Sequence, residues 1–223
     1  MRLLLLVLVC IPQVALSDET LLGAGVRNRP VYDGSGDQTT DLIPVVRYYG
    51  TPWFARTTQG ILEGGARFAL RPGLDGGVQL AYEPGPRDGD PGASLGLHME
   101  LDTKVGPAPL NLLARTRTHL DSDRGSQADV RVTLGVYGGA GLQLGVFGQG
   151  TWANEKHTQA YYGVRNAGLL FTSLGVLGSY DLARHWVAVA SAELRRFAGE
   201  PSRSAFVQDR TGYYLSAGLA YRF

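Results

Sequence analysis

One cysteine occurs in 223 residues, and it lies where a mature protein would not keep it. Cys10 sits in the apolar run Leu3 to Ile11, behind the short basic start Met1-Arg2 and ahead of the small-x-small site Ala15-Leu16-Ser17. That pattern predicts a cleaved secretory signal peptide over residues 1–17. Cys10 follows Val9 rather than a small residue, which argues against a lipoprotein signal. Residues 18–223 then hold no thiol, which excludes disulfides and thiol catalysis. Long hydrophobic runs are scarce too: after residue 17 none reaches the roughly 20 apolar residues of a membrane-spanning helix. Charge is low at 18% of residues, below the roughly 25% usual for soluble domains. It is also balanced, because 21 basic residues, Arg2 among them, face 20 acidic ones. No basic block exists, so nothing suggests nucleic acid as a partner.

Glycine, at 31 residues, and a period of two are what the chain has in quantity. Read backwards from the terminus, Phe223, Tyr221, Leu219, Ala217, Leu215 and Tyr213 share one face, with Arg222, Ala220, Gly218, Ser216, Tyr214 and Gly212 opposite. Alternation over that length predicts a strand, since successive side chains point to opposite sides of a sheet. Aromatic ends around an aliphatic middle suit a strand crossing a bilayer. Tyr221 and Phe223 also form the aromatic ending by which outer-membrane barrels present their last strand to the barrel-assembly machinery. Similar alternation recurs upstream, clearest in Leu95-Leu97-Met99-Leu101, Leu110-Leu112-Ala114-Thr116, Val130-Val132-Leu134-Val136 and Trp186-Ala188-Ala190-Ala192-Leu194. Leu170, Thr172, Leu174, Val176 and Tyr180 are placed on one face by the same rule. About twelve segments result, and even counts are the rule for single-chain bacterial barrels.

The connections alternate in length. Short ones at 49–52, 71–76, 105–107, 138–141 and 181–184 fall between longer polar ones at 27–41, 83–92, 120–127, 153–168 and 198–211, with the short link at 58–60 as the exception. Short periplasmic turns and long outer loops are the outer-membrane arrangement, with both termini on the periplasmic side. A soluble periplasmic sandwich would share the alternation. The length pattern and the aromatic terminus favour one all-β fold: a single antiparallel transmembrane barrel over 18–223, integral to the outer membrane and bounded by its lipid.

The polar faces put Glu63, Arg67, Arg71, Glu83, Glu100, Asp102, Arg115, Arg117, Arg131, Glu193 and Arg195 inside. Glu63, Arg67, Glu100, Arg115, Arg117, Arg131, Glu193 and Arg195 are the candidate lumen charges. They could select solutes in a pore, or pair across the interior and close it. A barrel of about twelve strands leaves little room once filled with side chains, which favours closure. Barrel lipases need a His beside a Ser, as in His-x-Ser. Here His98 precedes Met99-Glu100 and His119 precedes Leu120-Asp121-Ser122. His119 with Asp121 and Asp123 imitates an omptin-like rim, but loops carry Asp for turn reasons. Catalytic residues, metal ligands and cofactors are therefore not expected. Gly34-Ser-Gly-Asp37 and Asp88-Gly-Asp90 lack calcium-loop spacing and read as outer turns.

Leu22-Gly-Ala-Gly-Val-Arg-Asn-Arg-Pro30 with Tyr32-Asp-Gly-Ser35, then Tyr161-Tyr-Gly-Val164, then Gly218-Leu-Ala-Tyr-Arg-Phe223 together resemble the MltA-interacting protein (MipA/OmpV) family of outer-membrane proteins. The resemblance spans the mature chain and departs at Gly199-Glu-Pro-Ser-Arg-Ser204, where that family tends to an Asp-rich loop. It implies an outer-membrane barrel. It also implies a non-enzymatic scaffold linking a lytic transglycosylase to a penicillin-binding murein synthase. Other members are associated with permeability, so a channel or receptor for small solutes is the alternative.

Overall fold

The computed structural model describes residues 20–86 and 89–223, so the signal peptide expected at 1–17 lies outside the described residues, as does Asp88. Twelve antiparallel strands close into one barrel, each paired with its sequence neighbours and the first with the last. They are β1 Leu21–Pro30, β2 Gln38–Tyr49, β3 Trp53–Thr58, β4 Ile61–Arg71, β5 Leu74–Glu83 and β6 Gly92–Val105. The second half is β7 Ala108–His119, β8 Ser126–Gly139, β9 Leu142–Ala153, β10 Gly168–Ala183, β11 Trp186–Phe197 and β12 Thr211–Arg222. One helix, α1 Glu155–Tyr162, lies between β9 and β10.

The side that alternation marks as apolar points outward. Leu80, Leu97, Val132, Leu174 and Leu215 are all exposed, Leu97 at 61%. Soluble proteins do not display such a belt. Exposed rings flank it: Trp53, Tyr137 and Trp186 at the strand ends next to the short turns, Tyr82, Trp152 and Tyr213 near the long loops. A band of aliphatics between two aromatic girdles is the surface a bilayer selects.

Four register shifts interrupt the strand pairing, and two of them displace residues that alternation places. Pairing shifts between Leu169 and Phe171, so Leu170 turns inward and is fully buried, whereas strict alternation puts it outside with Leu174. A second shift between Ala69 and Arg71 ends the inward register of β4, and Arg71 is exposed at the periplasmic turn instead of inside. The stretch 27–41, expected as a loop, is mostly strand. Arg29 pairs with Asp41 at 2.6 Å and Asn28 donates to Thr39 O and Thr40 Oγ1, a polar ladder above the apolar belt.

The short link at Gln59-Gly60 is a genuine outer turn. Its residues have φ of 52° and 73°, the left-handed pair that a two-residue hairpin needs to match strand twist. It leaves β3 only six residues long, paired with β2 at Arg47↔Arg56, Tyr48↔Ala55 and Tyr49↔Phe54. Just above, the Thr57 hydroxyl donates to Pro44 O at 2.8 Å and accepts from the Val46 N–H at 3.3 Å. The upper part of β2 therefore runs as an edge on that side. Pro44, with no N–H, removes one donor that the edge would leave unsatisfied.

Candidate functional site

The interior is polar and organised around carboxylates. Glu63, on β4, is fully buried; Arg56 Nε donates to its Oε2 at 3.0 Å, and Arg115 donates to its Oε1. Arg56 reaches on to Glu100 at 2.9 Å. Arg115 reaches Asp129 at 2.8 Å, where Arg117 also arrives at 2.8 Å, and Arg117 closes on Glu83 at 2.8 Å. The result is one alternating chain, Glu100–Arg56–Glu63–Arg115–Asp129–Arg117–Glu83, drawn from six strands, β3 to β8. Neutral groups tie three of its carboxylates. Asn111 donates to Glu100 and Asp102 at 2.8 Å each, Thr151 donates to Asp129 at 2.7 Å, and Ser94 donates to Glu83.

A second, smaller group sits nearer the β1–β12 seam. Arg195 donates to Asp33 at 2.8 Å and to Glu193 at 3.2 Å, Gln59 donates to Glu193 at 2.9 Å, and Tyr214 donates its hydroxyl to Asp33. Asp33 belongs to the first outer loop, so this group staples that loop into the barrel. Burial would raise the Asp33 carboxyl, but Arg195 and the Tyr214 hydroxyl hold it below the usual range.

The outer mouth is covered by α1. Asn154 caps it, accepting from the His157 N–H at 2.9 Å, and Gly163 ends it at φ 70°. His157 is buried, with its Nδ1 3.2 Å from Arg124 O and its ring stacked on Tyr161 at 4.1 Å. Tyr161 in turn lies 3.4 Å from His119 Nε2. Burial first, then the neighbouring His119, pushes the His157 pKa down to about 3, so the ring is neutral at physiological pH. Tyr162 seals the same end against Leu170, Phe171 and Phe197.

Two spaces remain inside. A cavity of about 780 Å³ runs from mid-barrel to Pro107, Ala108 and Gly139 at the periplasmic rim. A space of about 100 Å³ lies under α1. Arg27, Gln59 and Tyr214 border both and divide them.

Of the candidate lumen charges, Glu63, Arg115, Arg117, Glu193 and Arg195 meet in these two groups, and Glu100 joins at the less buried end. Arg67 stands apart near the periplasmic end, 3.3 Å from Asp75 and over the Tyr49 ring. Arg131 is buried over Phe147 at 3.7 Å. His98 packs edge-on to Phe54, far along the sheet from His119. Tyr221 lies between His185, Trp186 and Phe223 at the periplasmic end. Arg56, Asp129, Asp33 and Arg27 complete the interior and were missed. Arg56 and Asp129 carry a parity signal, two residues from Phe54 and Arg131 respectively; Asp33 and the helix had none.

Strand closure, an apolar belt and a polar, ion-paired interior define an outer-membrane β-barrel. Solved structures agree on the fold. The NanC porin matches with a TM-score of 0.56 at 11% identity, covering 92% of this chain and 100% of its own. An outer-membrane channel from Pseudomonas putida F1 matches with a TM-score of 0.57 at 12% identity, over 95% and 98%. The beta domain of the Bordetella autotransporter BrkA matches at 0.50 and 15%, over 93% and 100%. No curated protein matches in sequence. The family profile of MltA-interacting protein MipA matches residues 22–223, and the chain belongs to that family.

Proposed function

We propose that this outer-membrane barrel is a non-enzymatic docking protein for murein-remodelling enzymes, a lytic transglycosylase and a penicillin-binding murein synthase, which it holds at its periplasmic face. The family's own description as MltA-interacting supports a protein partner. The observation that carries the reading is the buried chain from Glu100 to Glu83, whose charges are spent on one another rather than left to face a passing solute. Helix α1 adds a cover at the outer mouth. What remains accessible to a periplasmic enzyme is the ring of short turns and the mouth of the inner cavity. The single layer of Arg27, Gln59 and Tyr214 between the two spaces favours one second reading, a gated channel for small solutes.

Both readings meet the same pair of measurements. Purified protein in planar bilayers is expected to give no conductance steps, and immobilised protein is expected to retain a lytic transglycosylase from a periplasmic extract. Regular steps with no retained transglycosylase would replace the docking reading by the channel.

A further inference from the structure

Among the described residues six guanidiniums are buried in the barrel, those of Arg27, Arg56, Arg115, Arg117, Arg131 and Arg195. Four of them touch carboxylates: Arg56, Arg115, Arg117 and Arg195. Arg27 and Arg131 touch none among the described residues, although they are only 7% and 9% exposed. The Nε of Arg131 is buried with no hydrogen-bond partner. Glu193 is the carboxylate whose charge reaches both, but its oxygens are already taken by Arg195 and Gln59. A buried guanidinium without an acceptor is costly, and that cost is relieved when an acceptor enters.

Both residues line the same cavity, the one of about 780 Å³ that reaches the periplasmic rim. Each is backed by a ring: Arg27 lies 5.1 Å from the centre of Tyr214, Arg131 3.7 Å from that of Phe147. A guanidinium stacked on a ring keeps its in-plane N–H donors free for an oxyanion. The rest of the wall is partly apolar, with Ile43, Val45, Leu113 and Val189. The volume falls within the roughly 300–1,000 Å³ of small-molecule sites, which combine an apolar lining with a few fixed polar groups.

We propose that this cavity binds a small organic anion from the periplasmic side, an acid group on an apolar or ring-shaped body, with Arg27 and Arg131 as the contacts for the acid. The site does not depend on the docking function, since Arg27 and Arg131 lie on strands inside the barrel and not in its turns. The acid group could be a carboxylate or a phosphate, as both offer guanidinium the same planar pair of acceptors.

The test is fluorescence anisotropy of 5-carboxyfluorescein with the full-length barrel in dodecylmaltoside at low ionic strength. Saturable binding is expected, weakened at least about tenfold by Arg27→Gln and by Arg131→Gln, and unchanged by Arg165→Gln in an exposed outer loop. Displacement by benzoate assigns the site to carboxylates, and displacement by inorganic phosphate assigns it to phosphate esters. Thermal unfolding guards against a misfolded variant. An unpartnered Arg131 predicts that Arg131→Gln leaves the melting temperature unchanged or raises it. Absence of saturable binding, binding that survives both Gln substitutions, or a lower melting temperature for Arg131→Gln would each overturn the proposal.

Discussion

Glu63→Gln measures whether the lumen is sealed. Glu63 has no exposed surface, and its two oxygens accept from Arg56 and Arg115. Glutamine keeps the shape and removes the charge, leaving two guanidiniums beside an amide that can accept at one atom only. Removing one member of a buried pair costs about 3–5 kcal/mol. Arg56 keeps Glu100 and Arg115 keeps Asp129, so the expected loss is smaller, about 2–3 kcal/mol. The number depends on water being excluded. In a wet lumen the same contacts would behave as exposed ion pairs worth about 0–1 kcal/mol each. Urea unfolding of the barrel in lipid vesicles, followed by the fluorescence of Trp53, Trp152 and Trp186, supplies the comparison. Wild-type stability should also hold as salt is raised to about 1 M, since buried pairs are screened little. A loss under about 1 kcal/mol with an unchanged denaturant slope would refute the sealed interior and with it the main support for a docking rather than a channel role.

Two further outcomes are expected. For His157 the folded pKa of about 3 lies below the 6.5 of a free histidine, so the unfolded chain takes up the proton first. The stability it contributes is full above pH 6.5 and is lost as pH falls towards 3, by at most about 5 kcal/mol. Wild type should therefore lose more stability than His157→Gln between those limits, and parallel pH profiles would show that the ring is not buried neutral. Phe223 is 71% exposed and touches Tyr221, so deleting it should cost under about 1 kcal/mol of stability. If Tyr221 and Phe223 are the residues read by the assembly machinery, the amount of deletion protein in the outer membrane should fall several-fold. Equal amounts would remove them from that role.

The fold was legible because a membrane barrel writes its outside into every second residue. Leu95 to Leu101 and the terminal strand need nothing but parity to be placed, since lipid accepts no charge there. Parity fails wherever one extra residue enters a strand. The bulges after Leu169 and Ala69 each shift the chain by one position, and that single step buried Leu170 and exposed Arg71. It fails differently at 27–41, where polar residues on both faces look like a loop. Beyond the belt both faces are free to be polar, and Arg29–Asp41 bridges the strands there. The helix over the mouth is eight residues, too short for periodicity to show, though Asn154 and Gly163 are ordinary caps once its position is known.

Parity put charges inside the barrel but could not pair them. Arg115 and Arg131 have the same composition signal, on adjacent strands and on the same face. The register of β7 against β8 sets Arg115 opposite Asp129 and Arg131 opposite Leu113. An offset of two residues thus gives one guanidinium a carboxylate and the other an apolar neighbour. Strand stagger is fixed by closure of the whole barrel, including the β1–β12 seam, so no local stretch of sequence contains it. The Arg115–Asp129 bond and the unbonded Arg131 that faces the cavity are therefore products of one stagger. A two-residue slip of β8 against β7 would set Arg131 opposite Arg115 or Asn111, and neither Arg115 nor Arg131 would then face a carboxylate across the pair.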